Sequence, residues 1–482
     1  MAGPFTPGDQ FTSPGTYSNQ SQLDEYAANP RFQELQTTLR SYLFDEARSA
    51  GNTRQQTPDA QPEFSQRLEG HKLLLQHLTQ GPDQIALRKK IKYLNVWITE
   101  CAPWLDMFDQ ERHFGIHVPV LAQRSPAVCY ALLALSARQM ERHGGLKGAS
   151  QDSLELYSHA IASLAPSINA RDPEVLVTAC ILCVLEMMSV SPRDWRRHSE
   201  GCAALFENLG VNGLSGGLMQ AVFWCYARMD LCAAIIADGA ESTTLPIPKW
   251  AIVDVPLASF HGILDQQRLI SQTFFEKGSL VADMHANYAV YLCAKVCDLL
   301  ARRTRFVELH EDNGCTNDVF QQTWLALWDE TQLWFEKRPP PMLPVKEVPN
   351  VQGKELFPRI LFAHWAAISS NQLFHVANIL MVELKPASVD VTRLVGSRPL
   401  LWHARRIVGI SLTNPHKGCL NNAIQPLWVA GKLFTHREEH KVIVDLLNKI
   451  EASSGWGSRW RIKDLEAVWG YRVEQKARKE GG

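Results

Sequence analysis

Between Ser215 and Gly239 the residues Leu218, Val222, Cys225, Met229, Cys232 and Ile236 recur in alternating steps of four and three. An α-helix turns once every ~3.6 residues, so this spacing lays all six side chains along one stripe. Such a stripe is stable in water only when it is buried against other elements. Ser215-Gly216-Gly217 supplies a start signal and Asp238-Gly239 a stop,. The chain must therefore build a body around at least one long apolar helix.

The same punctuation recurs along the chain. Leu132–Arg142 reads as helix up to a His143-Gly144-Gly145 stop. Asp172 stands as N-cap and Pro173 at the first turn of a helix over Glu174–Met188,. Further helices are predicted over Val290–Leu300, over Phe320–Trp334 before Pro339-Pro340-Pro341, and over Arg359–Leu384 before Pro386. Glu439–Ile450 would place Val442, Ile443, Leu446, Leu447 and Ile450 on one side. Prolines and glycines fall between these segments, and two-residue alternation flanked by hairpin turns is not found. The expected fold is all-α, a multi-helix packed body of roughly a dozen or more helices with no significant sheet.

Residues 1–82 read as a disordered or linker segment, rich in Pro, Gly, Ser and Gln and poor in aliphatics,. Within it, Phe32, Leu35, Leu39 and Leu43 have helical spacing, predicting a short helix over 32–47. The helical body is expected over 83–473, and 474–482 form a charged tail. With 482 residues, 45% hydrophobic, the chain has ample material for a large core,.

Charge and cysteine usage narrow the function classes. Forty-nine basic against 50 acidic residues leave a net charge of −1, without the basic surplus of a domain that grips phosphates. The 11 cysteines are odd in number and scattered through apolar segments, which fits a reducing compartment better than a disulfide framework. The N-terminal stretch has neither the basic nor the apolar region of a signal peptide. No uninterrupted apolar run approaches the ~18–20 residues of a membrane span. A soluble intracellular protein is expected.

The residue groups that could carry chemistry each have a plainer reading. Cys180 and Cys183 form a CxxC inside an apolar helix without a second pair, so core packing is expected rather than zinc,. Cys225 with Cys232, and Cys293 with Cys297, read the same way. His436 and His440 share a helical face, but Arg437 stands where a zincin needs glutamate,; a solvated helix start is expected. His113 and His117 are separated by Gly115 and followed by Pro119, which predicts loop or surface. Asp106, Asp109 and Glu111 resemble the acidic motif of helical terpenoid synthases, with Asp329-Glu330 as the only downstream counterpart. Their interleaving with Leu105, Met107 and Phe108 favours an amphipathic helix end. Arg88, Lys89, Lys90 and Lys92 read as the solvated face of the first core helix, with Ile91, Leu94 and Trp97 turned inward. Arg302, Arg303 and Arg305 suit a helix C-terminus. Gly210 and Gly216-Gly217 read as turns, and no phosphate loop or nucleophile elbow is present. No catalytic, cofactor-binding, metal-binding or DNA-contacting residue is assigned.

Seven segments in order carry a family resemblance: LNVWITECAPWLDMFD (94–109), VPVLAQRSPAVCYALLALSARQ (118–139), WRRHSEGCAALFENLG (195–210), QAVFWCYARMDLCAAI (220–235), LWDETQLWFEKRP (327–339), QPLWVAGKLF (425–434) and GWGSRWRIKDLEAVWG (455–470). Together, over roughly residues 85–472, they resemble the fungal-specific transcription factor domain, the regulatory helical region of zinc binuclear cluster factors. The resemblance implies an all-α regulatory body, a nuclear location and control of metabolic or secondary-metabolite genes. Such factors carry a six-cysteine zinc cluster near the N-terminus, whereas the first cysteine here is Cys101. The expectation is therefore a regulator without its own DNA-binding cluster, or one whose start is truncated. It would act through protein partners, a zinc-cluster factor or a coregulator, as a homo- or heterodimer, with tryptophan and leucine on exposed helix faces as anchors. A metal-dependent enzyme of terpenoid-synthase type and a cytosolic helical scaffold are the alternatives.

Overall fold

The computed structural model describes residues 26–52, 87–143, 152–168, 174–253, 263–350 and 355–471. Its helices are α1 (Pro30–Asn52), α2 (Leu87–Val96), α3 (Ala102–Leu105), α4 (Val118–Leu121), α5 (Pro126–His143), α6 (Asp152–Ile168), α7 (Glu174–Ser189), α8 (Pro192–Leu209) and α9 (Gly217–Ile236). They continue with α10 (Ile263–Leu280), α11 (Ala282–Glu308), α12 (Asn317–Glu336), α13 (Trp365–Glu383), α14 (Leu400–Thr413), α15 (Lys417–Leu420), α16 (Ile424–Gly431), α17 (Arg437–Ser454) and α18 (Arg459–Val468). A wide π-turn over Trp97–Cys101 joins α2 to α3 without a break, and a second occupies His113–His117. The fold is all-α apart from one small antiparallel pair, β1 (Lys346–Val348) and β2 (Arg359–Leu361).

That pair corrects the helix expected from Arg359 onward. Lys346 pairs with Leu361 and Val348 with Arg359, while the end of α14 fixes the other side. Asn414 donates to the Ile360 carbonyl at 2.7 Å and accepts from the Phe362 amide at 2.9 Å. The helix proper begins only at Trp365, where the His364 side chain accepts from the Ala366 amide and so satisfies one of the free first-turn donors,.

Helix α9 starts and stops where its glycines predict. Gly216 and Gly217 have φ of 80° and 54°, and Asp238 and Gly239 close the end in the same left-handed region. Its burial, however, is not confined to a stripe. Phe223, Trp224, Tyr226, Ala227 and Leu231 are buried as well, while Leu218 and Cys232 are half-buried. Being apolar all round, α9 is the central helix, packed by α7 and α8 on one side and by α11 and α16 on the other,. It is the one described helix long and apolar enough to cross a membrane by composition, but 83% of its most apolar window is buried inside the protein.

The core is continuous from α1 to α18. The predicted 32–47 segment is helix α1, which lies on α6 and α8 with Phe32, Leu35, Leu39 and Leu43 buried. Close approach is possible because α8 presents Gly201, where an added Cβ would come within 2.8 Å of Leu43. At its centre Gln36 donates to the buried Glu186 carboxylate, which also receives Tyr157 Oη and His198 Nδ1, each at 2.7 Å.

None of the 14 tryptophans is exposed, which corrects the expectation that tryptophans would anchor partners. The buried indoles of Trp97, Trp224, Trp250, Trp324 and Trp334 each donate to a backbone carbonyl at 2.8–3.0 Å, the usual way to bury an N–H without penalty. Among the described residues the exposed large apolar side chains are aliphatic, led by Leu280, Val395 and Leu309.

Candidate functional site

A half-enclosed cavity of about 120 Å3 lies where α9 meets the ends of α3 and α7, the start of α8, the first half of α13, the start of α16, and the turn between α17 and α18. Trp104, Trp195, Trp456 and Trp460 make much of its wall, with Met107, Met187 and Met229 between them. Trp104 and Trp456 meet edge to face at 5.7 Å. Methionine is flexible and polarisable, so a wall of indoles and thioethers can adapt to an apolar guest.

Among the described residues, Arg228, from the middle of α9, is the one charged residue lining this cavity. Its Nη2 donates to the Leu105 carbonyl at 2.6 Å and reaches the Trp104 carbonyl at 3.5 Å. Those are the last carbonyls of the helical run that ends at α3, so a cation there offsets the end of a helix dipole. The guanidinium is buried, and among the described residues it forms no ion pair. Ser369, on α13, is also buried and lines the cavity, and its Oγ has no hydrogen-bond partner.

Behind Arg228 sits the acidic group singled out in the sequence. Asp106 and Asp109 are not on an amphipathic surface. Asp106 is buried and accepts the backbone amides of Phe114 and Gly115, both at 2.8 Å. Asp109 accepts the His113 amide at 2.7 Å and pairs with its Nδ1 at 2.9 Å. Both carboxylates thus cap the start of the second π-turn, satisfying amides that would otherwise be unpaired. Burial pushes Asp106 up to about 7 against the pull of those two amides. Asp283, in the first turn of α11, is also pushed up to about 7, first by burial and then by the charge of Asp109. Glu111 is exposed. Asp329 is exposed too, and Glu330 is spent on Lys295, Tyr288 and Ser271. The acids therefore work as caps and ion-pair partners.

Two of the histidines are placed differently from expectation. His113 is buried against Asp109, its ring 4.8 Å from that of exposed His117. His436 is an exposed N-cap, but His440 is buried, bonded to Tyr471 Oη at 2.7 Å and the Phe434 carbonyl at 2.9 Å, and stacked on Trp469 at 3.8 Å. Both of its ring nitrogens are hydrogen-bonded and its face is covered by the Trp469 indole.

The cysteines behave as core. Cys180, Cys183, Cys225, Cys293 and Cys297 are buried, and Cys232 half-buried at the cavity. Burial pushes the Cys232 thiol up to about 12 and that of Cys180 well above the usual value. Arg88, Lys89, Lys90 and Lys92 are exposed, with Lys89 reaching Asp152 at 2.8 Å. Ile91 is exposed at 59%, and Tyr93 takes the inward place beside Trp97. Arg303 ties the end of α11 to the Cys315 carbonyl and Asn317. Arg228 and Ser369 were not singled out by spacing, although a lone arginine within QAVFWCYARMDLCAAI is itself a signal that a buried charge needs a partner,.

Residues 92–276 match the family model of the fungal specific transcription factor domain. The matched stretch runs from α2 into α10. The chain is also similar to the transcription activator AMTR1 of Alternaria alternata, with 23% identity over 507 aligned residues covering 81% of this chain and 64% of that protein. It thus spans just under two thirds of the relative's length. No solved structure matches. The cavity straddles the edge of the matched stretch: Arg228 and Trp104 lie inside it, Ser369 and Trp456 beyond it.

Proposed function

We propose that this chain regulates transcription in the nucleus of a fungus, acting on metabolic or secondary-metabolite genes through protein partners rather than by reading DNA with its helical body. The observation that carries the reading is the match of residues 92–276 to the fungal specific transcription factor domain, together with alignment to a transcription activator over 81% of the chain. The near-zero net charge supports partner-mediated action, because phosphate binding draws on a basic surplus,. The partner is a zinc-cluster factor or a coregulator, and aliphatic residues such as Leu280 and Leu309 are available to anchor it,.

The cavity gives this body a means of response. Its walls come from both the matched domain and the helices beyond it, so a guest that prefers one packing of the two would shift the population between them. The test is a tagged full-length chain in its host, with transcript profiling of a deletion strain. Nuclear signal and a changed transcript set are expected. A cytosolic signal with an unchanged profile would replace this reading with that of a helical scaffold.

A further inference from the structure

The cavity combines features that select a ligand class. Its wall is mostly indole, thioether and aliphatic, and among the described residues that line it there is no carboxylate. A buried guanidinium without an ion pair is costly, because hydrogen bonds to neutral carbonyls only partly replace its hydration. Arg228 is in that position, with Nη2 on two carbonyls and no hydrogen-bond partner for its other nitrogens among the described residues. An acid that feels its charge, Asp283, is held toward the neutral form by burial and by Asp109. Arg228 and Ser369 also approach a common neighbour, Cys419: burial pushes its thiol up to about 12, and the Ser369 hydroxyl and the Arg228 charge oppose that rise. The Ser369 hydroxyl, on a side chain only 3% exposed, adds a donor at the cavity wall.

We propose that this cavity binds a small organic carboxylate with an apolar body, the carboxylate on Arg228 and Ser369 and the hydrocarbon among Trp104, Trp456 and Met229. The anion completes the ion pair that the protein leaves open, and a planar carboxylate matches the guanidinium fork. Size sets a second limit. A cavity of about 120 Å3, at roughly 10–15 Å3 for each water-sized site, holds roughly eight to twelve such sites. Short fatty acids and aryl-alkanoic acids fit, whereas steroids, long-chain lipids and nucleotides do not. The proposal deepens the regulatory reading by naming the class of effector, and rests on it only for the consequence of binding.

The experiment titrates the purified full chain with hexanoate, octanoate and 3-phenylpropanoate, each beside its neutral amide. Indole fluorescence and calorimetry report binding. At least one carboxylate is expected to bind about tenfold or more tighter than its amide, since a charge-assisted hydrogen bond discriminates by about that factor. In R228Q the preference should vanish, in R228K it should partly persist, and S369A should weaken binding severalfold while the melting curve stays that of wild type. Because Arg228 also holds α3, L373W, which fills the cavity from α13, is the independent variant and should block the carboxylate. Equal binding of acid and amide throughout the panel, or a preference that survives R228Q or L373W in folded protein, would overturn the proposal. A failed titration beside a nuclear, transcript-changing chain would remove the ligand and leave the regulatory reading intact.

Discussion

Replacing Asp283 with Asn should make the protein more stable at alkaline pH, a direction opposite to most buried-polar substitutions. Asp283 is 3% exposed, and among the described residues neither carboxylate oxygen has a hydrogen-bond partner of good geometry, the Gln110 amide being only a weak one. Burial and the charge of Asp109 raise its pKa from 3.8 to about 7; the Gln110 amide and the Arg228 guanidinium oppose the rise without reversing it. The folded state therefore holds this proton more tightly than the unfolded chain. The contribution of Asp283 to stability falls as pH rises from about 4 to about 7 and levels off above that,. The cost of ionisation at pH 8 is at most about 4 kcal/mol. Asn removes that cost but brings an amide with imperfect partners, worth about 1–3 kcal/mol against it. The net expectation at pH 8 is a gain of about 1–3 kcal/mol, and the gap between variant and wild type should narrow by about 2–3 kcal/mol on moving to pH 5. Urea denaturation followed by tryptophan fluorescence at the two pH values measures both. A variant less stable than wild type at pH 8, or a gap that does not shrink toward acid, would refute the reasoning.

Other expectations follow from single contacts. Gln36→Ala leaves one oxygen of the buried Glu186 without its donor, and should cost about 1–3 kcal/mol and loosen α1 first; faster amide exchange confined to α1 is the readout. Gly409→Ala places a Cβ 2.2 Å from the Pro358 carbonyl oxygen, which is backbone. It should cost about 1–3 kcal/mol by overpacking, seen as a lower melting temperature, and an unchanged Tm would contradict the close approach of α14 to the strand pair. Alkylation of the native chain should reach Cys129 readily and Cys232 only slowly, since burial holds the Cys232 thiol protonated, with all 11 labelled after denaturation,; rapid native labelling of Cys180 or Cys183 would refute their core role.

What the sequence made legible depended on whether the deciding partners were local. Helix α9 could be placed because its limits are written in adjacent residues, Gly216-Gly217 and Asp238-Gly239. The Arg359 strand could not, because its partners are Lys346–Val348 and Asn414, far away in sequence. Ile91 was misplaced for a geometric reason. Six residues before Trp97 is ~240° around a helix, whereas Tyr93, four residues before, returns to the same face. The cap of Asp109 on His113 is an i,i+4 pair and was within reach of a spacing argument. Arg228 and Ser369 were not recoverable as neighbours, since α9 and α13 meet only through the tertiary fold.

The central claim is that this helical body influences transcription once it is brought to a promoter. The direct measurement fuses the full chain to a heterologous DNA-reading module in a fungal host and records a reporter carrying the matching site. The account predicts a reporter output distinctly different from that of the module alone, lost when partner contact is removed by charged substitutions at Leu280 and Leu309. Output equal to that of the bare module, from a fusion shown to be folded and bound at the site, would contradict it.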